Sequence, residues 1–101
     1  METLSIQIWK KQNHPLVLKA FDILWNDKSI PSLGAYRIND KESRVNFAMN
    51  CKSGAVLWKR IGKRFNKLPG FKKCAVVTCV KGDDWINPEV IYSAFDDEGS
   101  A

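Results

Sequence analysis

The chain has 101 residues, 45% of them apolar and 27% charged, with a formal charge of +5 at pH 7. That length holds one domain with one core, burying roughly 60 to 70% of the unfolded surface without disulfide staples, and leaves no room for a second domain. The apolar share excludes a disordered chain, and the apolar stretches around Leu16 to Trp25 and Cys74 to Val80 fall far short of the roughly 18 residues of a spanning helix.

Taken in chain order, Thr3 to Trp9 alternates Leu4, Ile6 and Ile8 against Ser5, Gln7 and Trp9, the period-two pattern of a half-buried strand. The lysines of Met1 to Lys11 follow this apolar segment instead of preceding it. That is the wrong order for a secretory signal, so a cytoplasmic setting without membrane contact is expected. Pro15 suits the first turn of a helix, with Asn13 or His14 as its cap. The helix to about Asn26 is apolar almost all round, with Lys19, Asp22 and Asn26 as its narrow wet stripe, and such a helix is expected to be largely buried. Pro31 marks the loop that ends it.

Leu33 to Asn39 and Arg44 to Cys51 read as two strands joined by a hairpin loop over Asp40 to Ser43. In the second, Val45, Phe47, Met49 and Cys51 point inward and Arg44, Asn46, Ala48 and Asn50 outward. Ser53 offers a helix cap, and Leu57, Trp58, Ile61, Phe65 and Leu68 repeat at the spacing of one helical face until Pro69 and Gly70 stop it. Cys74 to Val80, apolar on both faces and β-branched, reads as an interior strand. A turn-rich loop and a last strand, Glu89 to Phe95, complete the domain. The expectation is a single α+β domain over residues 1 to 96 with a frayed acidic tail over 97 to 101. It is a two-layer sandwich, an antiparallel sheet with two helices on one face, in the order β-α-β-β-α-β-β. That order resembles ferredoxin-like domains with an extra C-terminal strand at an edge.

Charge is distributed unevenly along the chain. Residues 52 to 81 carry nine basic groups and no acidic one, whereas residues 82 to 101 carry six acidic groups and no basic one. The basic segment cannot neutralise itself locally, so its countercharge must come from elsewhere. At about 100° per residue, the apolar residues of the second helix occupy an arc of about 100°, and Lys59, Arg60, Lys63, Arg64 and Lys67 occupy the facing 140° or so. Like charges one turn apart each cost roughly 0.2 to 0.5 kcal/mol in an isolated helix. A face built only for solubility mixes Glu with Lys more cheaply.

Three readings follow. The first is a small non-catalytic module, regulatory or accessory, that binds nucleic acid through Lys59, Arg60, Lys63, Arg64 and Lys67, with Lys72 and Lys73 widening the patch. Gln7, Trp9, Arg37, Arg44, Asn46 and Asn50 on the open sheet face are secondary candidates for base contacts. The second is an adaptor or inhibitor docking on an acidic protein surface. The third is a metal-dependent nuclease using Asp83 and Asp84, although adjacent carboxylates beside Gly82 are more simply turn formers. The strand order also resembles RNA-recognition-motif modules. The third strand, however, offers only Phe47, on the face expected to be buried, and lacks that signature's glycine and second aromatic.

No catalytic residue, cofactor or metal site is expected: with one histidine and no CxxC pair there is no zinc spacing, and no nucleotide-binding motif occurs. Cys51 with His14 is the one nucleophile and base pair to consider. The three cysteines are expected reduced and buried, with Cys74 and Cys79 on one strand and facing opposite ways. Trp25 and Trp58 are expected in the core, Trp9 at the wet face and Trp85 in a loop. Edge-strand pairing between two copies leaves room for a homodimer.

Overall fold

The computed structural model describes residues 2–11, 13–27, 43–82 and 88–93, with the backbone of 33–39. Its first strand, β1 (Glu2–Ile8), begins one residue earlier than the alternation suggests and ends before Trp9, whose N–H donates to the Cys74 carbonyl (2.8 Å). Leu4, Ile6 and Ile8 are fully buried on one face. The first helix, α1 (Pro15–Asn26), starts where His14 Nδ1 accepts the Leu16 N–H (3.1 Å), so His14 is the cap, with Pro15 inside the first turn.

Two strands follow, β2 (Leu33–Asn39) and β3 (Arg44–Cys51), and then α2 (Gly54–Asn66). Ser53 caps α2 by accepting the Val56 N–H (3.3 Å). The helix stops at Asn66, two residues short of the expected Leu68, as the chain turns through Pro69 into Gly70, whose φ of 84° is open to glycine without strain.

The next four residues correct the expected seven-element ferredoxin-like order. Phe71–Cys74 closes one helical turn, α3, so the described residues form eight elements and the strand β4 runs from Ala75 to Lys81. Two interactions explain the extra turn. Phe71 is fully buried and packs at 5.4 Å from the Phe65 ring and 6.1 Å from Trp58, holding the turn against α2. Cys74, expected at the head of the strand, instead sends its thiol back to the Gly70 carbonyl (3.2 Å), so it is not on a strand with Cys79 at all. The last strand, β5 (Glu89–Ser93), lies beside β4.

All five strands form one antiparallel sheet in the order β2-β3-β1-β4-β5, with β1 at its centre, where Ile6 faces Phe47 on one side and Val77 on the other. Both long helices lie on the face that carries Leu4, Ile6, Ile8, Val45, Phe47 and Val77, and Leu16, Val17, Ala20, Leu24, Leu57, Ile61 and Phe65 close the core over it. Both edge strands are irregular, with register shifts between Leu33 and Ala35 in β2 and opposite Val77 and Thr78 where β5 pairs. Bulges of this kind blunt sheet edges. No helix among the described residues is long and apolar enough to cross a membrane.

α1 departs from its expected burial. Leu16, Val17, Ala20 and Leu24 are buried, but Leu18 is 56% and Trp25 71% exposed. A helix lying on one sheet face has only one side to bury, however apolar the rest of it is. Trp25 is therefore a surface residue and not part of the core.

Candidate anion-binding surface

The core-facing side of α2 determines what its other side presents. Because Leu57, Ile61 and Phe65 are buried against the sheet, Lys59, Arg60, Lys63, Arg64 and Lys67 emerge exposed on the outer side, as the helical arc predicts. Lys72 and Lys73 sit exposed on α3, which the Trp58, Phe65 and Phe71 rings dock onto the C-terminal half of α2. From the other side, Tyr92 of β5 stacks on Phe71 (6.4 Å, 13° between planes) and its hydroxyl donates to the Lys72 carbonyl (2.5 Å). The backbone carrying these two lysines is thus held at both ends of a ring stack. Lys52, exposed just before the Ser53 cap, adds a cation at the opposite end of α2.

One carboxylate of the described residues reaches this face. Asp27, at the C-terminal cap of α1, pairs with the Arg64 guanidinium. Among the described residues, Lys59, Lys63, Lys67, Lys72 and Lys73 take part in no ion pair. Lys81 pairs with Glu89 across the β4–β5 edge at 3.5 Å, with both side chains exposed, and such a pair contributes little. The acidic segments that contain Asp83, Asp84, Asp96, Asp97 and Glu98 lie outside the described residues, as does Trp85.

The second sheet face is more closed than expected. Ser5, Thr78, Ala48 and Val80 are buried there, and its polar groups satisfy one another laterally: Ser5 Oγ donates to Asn46 Oδ1 (2.7 Å) and Thr3 Oγ1 to Asn50 Oδ1 (3.2 Å). Arg44 places its guanidinium over the Trp9 ring, 5.4 Å from the centroid, and Trp9 is half-buried against the core instead of standing free. Arg37 occupies the β2 position opposite Asn46. Trp9, Arg44 and Asn46 are therefore neighbours on one face, while the basic residues of α2 and α3 lie on the other side of the sheet.

The polar residues at the start of β1 form a separate cluster. Glu2 Oε1 accepts the first N–H of α2, from Gly54 (2.8 Å), and the thiol of Cys79 (3.0 Å). These two hydrogen bonds, the thiol's first, hold the Glu2 carboxyl below the usual carboxylate range. Burial and the adjacent carboxylate push the Cys79 thiol up to about 11. Burial likewise raises Cys51 and Cys74. All three cysteines are free, buried and protonated at neutral pH, which is the state of inert structural thiols. Cys51 donates weakly to the Glu2 carbonyl (3.6 Å) while His14 caps α1, so each member of the nucleophile and base pair is engaged elsewhere.

Sequence reasoning missed Trp25. Its ring lies nearly parallel to Phe21 (5.7 Å, 15°), and Phe21 in turn touches the buried Phe47 (6.3 Å). The signal was the direction of the wet stripe: at about 100° per residue, Leu18 and Trp25 fall within about 60° of Asp22. Comparison with known proteins returns no matching family model, no matching curated protein and no matching solved structure.

Proposed function

We infer that the chain is a small binding module, regulatory or accessory in role, whose basic helix α2, extended by α3, contacts nucleic acid. The observation that carries this reading is the row of exposed lysines at 59, 63, 67, 72 and 73 with no ion pair among the described residues. Such a row is costly to hold together without a ligand. Lys59 with Lys63 and Lys63 with Lys67 stand one turn apart, so each pair repels. A polyanion converts that repulsion into attraction and gains further from counterion release. The rigid seating of α3 by Tyr92 and Phe71 supports the reading, because it fixes Lys72 and Lys73 at a constant offset from α2. The exposed outer side of α2 is dominated by cations, so the contact is mainly with phosphate and carries little sequence preference.

The test is a titration of the full chain with generic single- and double-stranded oligonucleotides at two salt concentrations. Micromolar binding that weakens steeply with salt is expected. With four or five phosphates engaged on a single strand, the logarithm of the binding constant falls with the logarithm of salt at a slope of about −3. Loss of all binding at low salt removes nucleic acid as the ligand and leaves an acidic protein surface as the reading for the same lysines.

A further inference from the structure

We propose that the ligand of this surface is a single strand, with its phosphates on α2 and one of its bases stacked on the exposed face of Trp25. The proposal rests on the nucleic-acid reading and deepens it. α1 and α2 cover the same face of the sheet, so their outer sides look toward the same solvent. The Asp27–Arg64 pair joins the end of α1 directly to the basic row of α2. Trp25 lies two residues before Asp27, so their Cα atoms are at most about 7 Å apart. It is the most exposed of the large apolar residues described.

An indole held this way suits stacking better than burial. Phe21 backs one side of the ring and is itself braced on Phe47, so the ring presents a fixed platform with its other face in water. An ordered flat surface loses little entropy when a base lands on it. Exposed aromatics beside a cationic track are what sequence-tolerant single-strand binders use, and each stacked base contributes roughly 1 to 3 kcal/mol. A duplex keeps its bases stacked on one another and offers the ring no free face. Charge sets the direction of the strand. Asp22 is exposed one turn before Trp25 and repels phosphate, so the backbone of the strand runs along Lys59, Lys63 and Lys67, with the base reaching across to α1.

The experiment compares three probes of equal length, an oligothymidylate, an abasic strand and a mixed-sequence duplex, for the wild-type chain, Trp25→Leu, Trp25→Phe and the triple variant Lys59→Gln, Lys63→Gln, Lys67→Gln. Since Trp25 is exposed, its variants should melt at the wild-type temperature, which is checked first. The wild type should bind oligothymidylate roughly fivefold or more tighter than the abasic strand, as one stacked base requires. Trp25→Leu should abolish that difference and leave abasic binding unchanged, and Trp25→Phe should keep part of it. Equal affinity for oligothymidylate and the abasic strand, tighter binding of the duplex, or indifference to Trp25→Leu overturns the stacking proposal. If the triple variant still weakens all three probes, the nucleic-acid reading survives that result. Failure of the wild type to bind any probe at low salt overturns both.

Discussion

Among the described glycines, Gly54 has the least room. A Cβ there would meet the Cys79 sulfur at 2.5 Å and the Cys79 Cβ at 3.0 Å, because the first turn of α2 rests directly on β4. Alanine is the better helix former by roughly 1 kcal/mol, but overpacking of this kind costs about 1 to 3 kcal/mol, and the clash should win. Gly54→Ala is expected to destabilise by up to about 2 kcal/mol in urea unfolding. Combining it with Cys79→Ala, which removes the sulfur, should recover part of the loss beyond additivity; strictly additive effects would show that the contact is not the cause. Burial of the Cys79 thiol, together with its hydrogen bond to Glu2, adds a pH signature with two limbs. The thiol's value in the fold is raised from 9.0 to about 11, so the stability it contributes is complete below pH 9 and disappears as pH climbs from 9 to about 11. The Glu2 carboxyl is lowered from 4.5, so its contribution is present above pH 4.5 and is lost as pH falls below that. Subtracting the urea midpoint of Cys79→Ala from that of the wild type should give a difference that is flat near neutrality and narrows above pH 9. A difference independent of pH would show that the Cys79 thiol is not raised in the fold.

Between elements, burial and charge pull α2 in different directions. Its inner side is an ordinary packed face, yet its outer side sets like charges at successive turns, with the Asp27 carboxylate meeting the row at Arg64. Lys63 has like-charged neighbours one turn away on both sides, Lys59 and Arg60 before it and Lys67 after it. Replacing it by glutamate removes three repulsions and creates three attractions, so Lys63→Glu should raise stability by roughly 1 to 2 kcal/mol while weakening oligonucleotide binding by more than tenfold. A stability gain with unchanged binding would show that Lys63 stands outside the contact. The same two helices show how far the sequence was legible. In α2 the apolar and basic residues occupy separate arcs, so the buried side could be read from spacing. In α1 they do not. Leu18 and Trp25 are as apolar as Leu16 and Leu24, and only the position of the sheet selects which of them it covers. The short α3 was illegible for another reason: Phe71 to Cys74 becomes helical because Phe65 and Trp58 already hold the Phe71 ring, a contact that no local pattern announces.

For the whole molecule, the arrangement separates two surfaces. The sheet face away from the helices ties up its polar groups in cross-strand bonds and the Arg44–Trp9 contact, whereas the helical side keeps its lysines in solvent. A ligand engaging α2 therefore does not reach Arg44 or Asn46, which makes a contact over one side of the molecule the geometry to test. Its salt dependence measures how many phosphates that side accommodates: a slope approaching about −5 on a single strand brings Lys72 and Lys73 into the footprint, and one of about −3.5 or shallower confines the strand to the row from Lys59 to Lys67.

Strand alternation, the Pro15 and Ser53 helix starts, the Gly70 stop and the separation of apolar from basic residues on the second helix were all determined by the sequence itself, because each rests on neighbours within a few residues. Which side of α1 faces water, whether Phe71 to Cys74 coils, and that Asp27 at the end of α1 meets Arg64 of α2 were decided only in the folded chain. Those outcomes depend on groups far apart in sequence meeting across the core, and the energies that settle them do not exist until the sheet has formed.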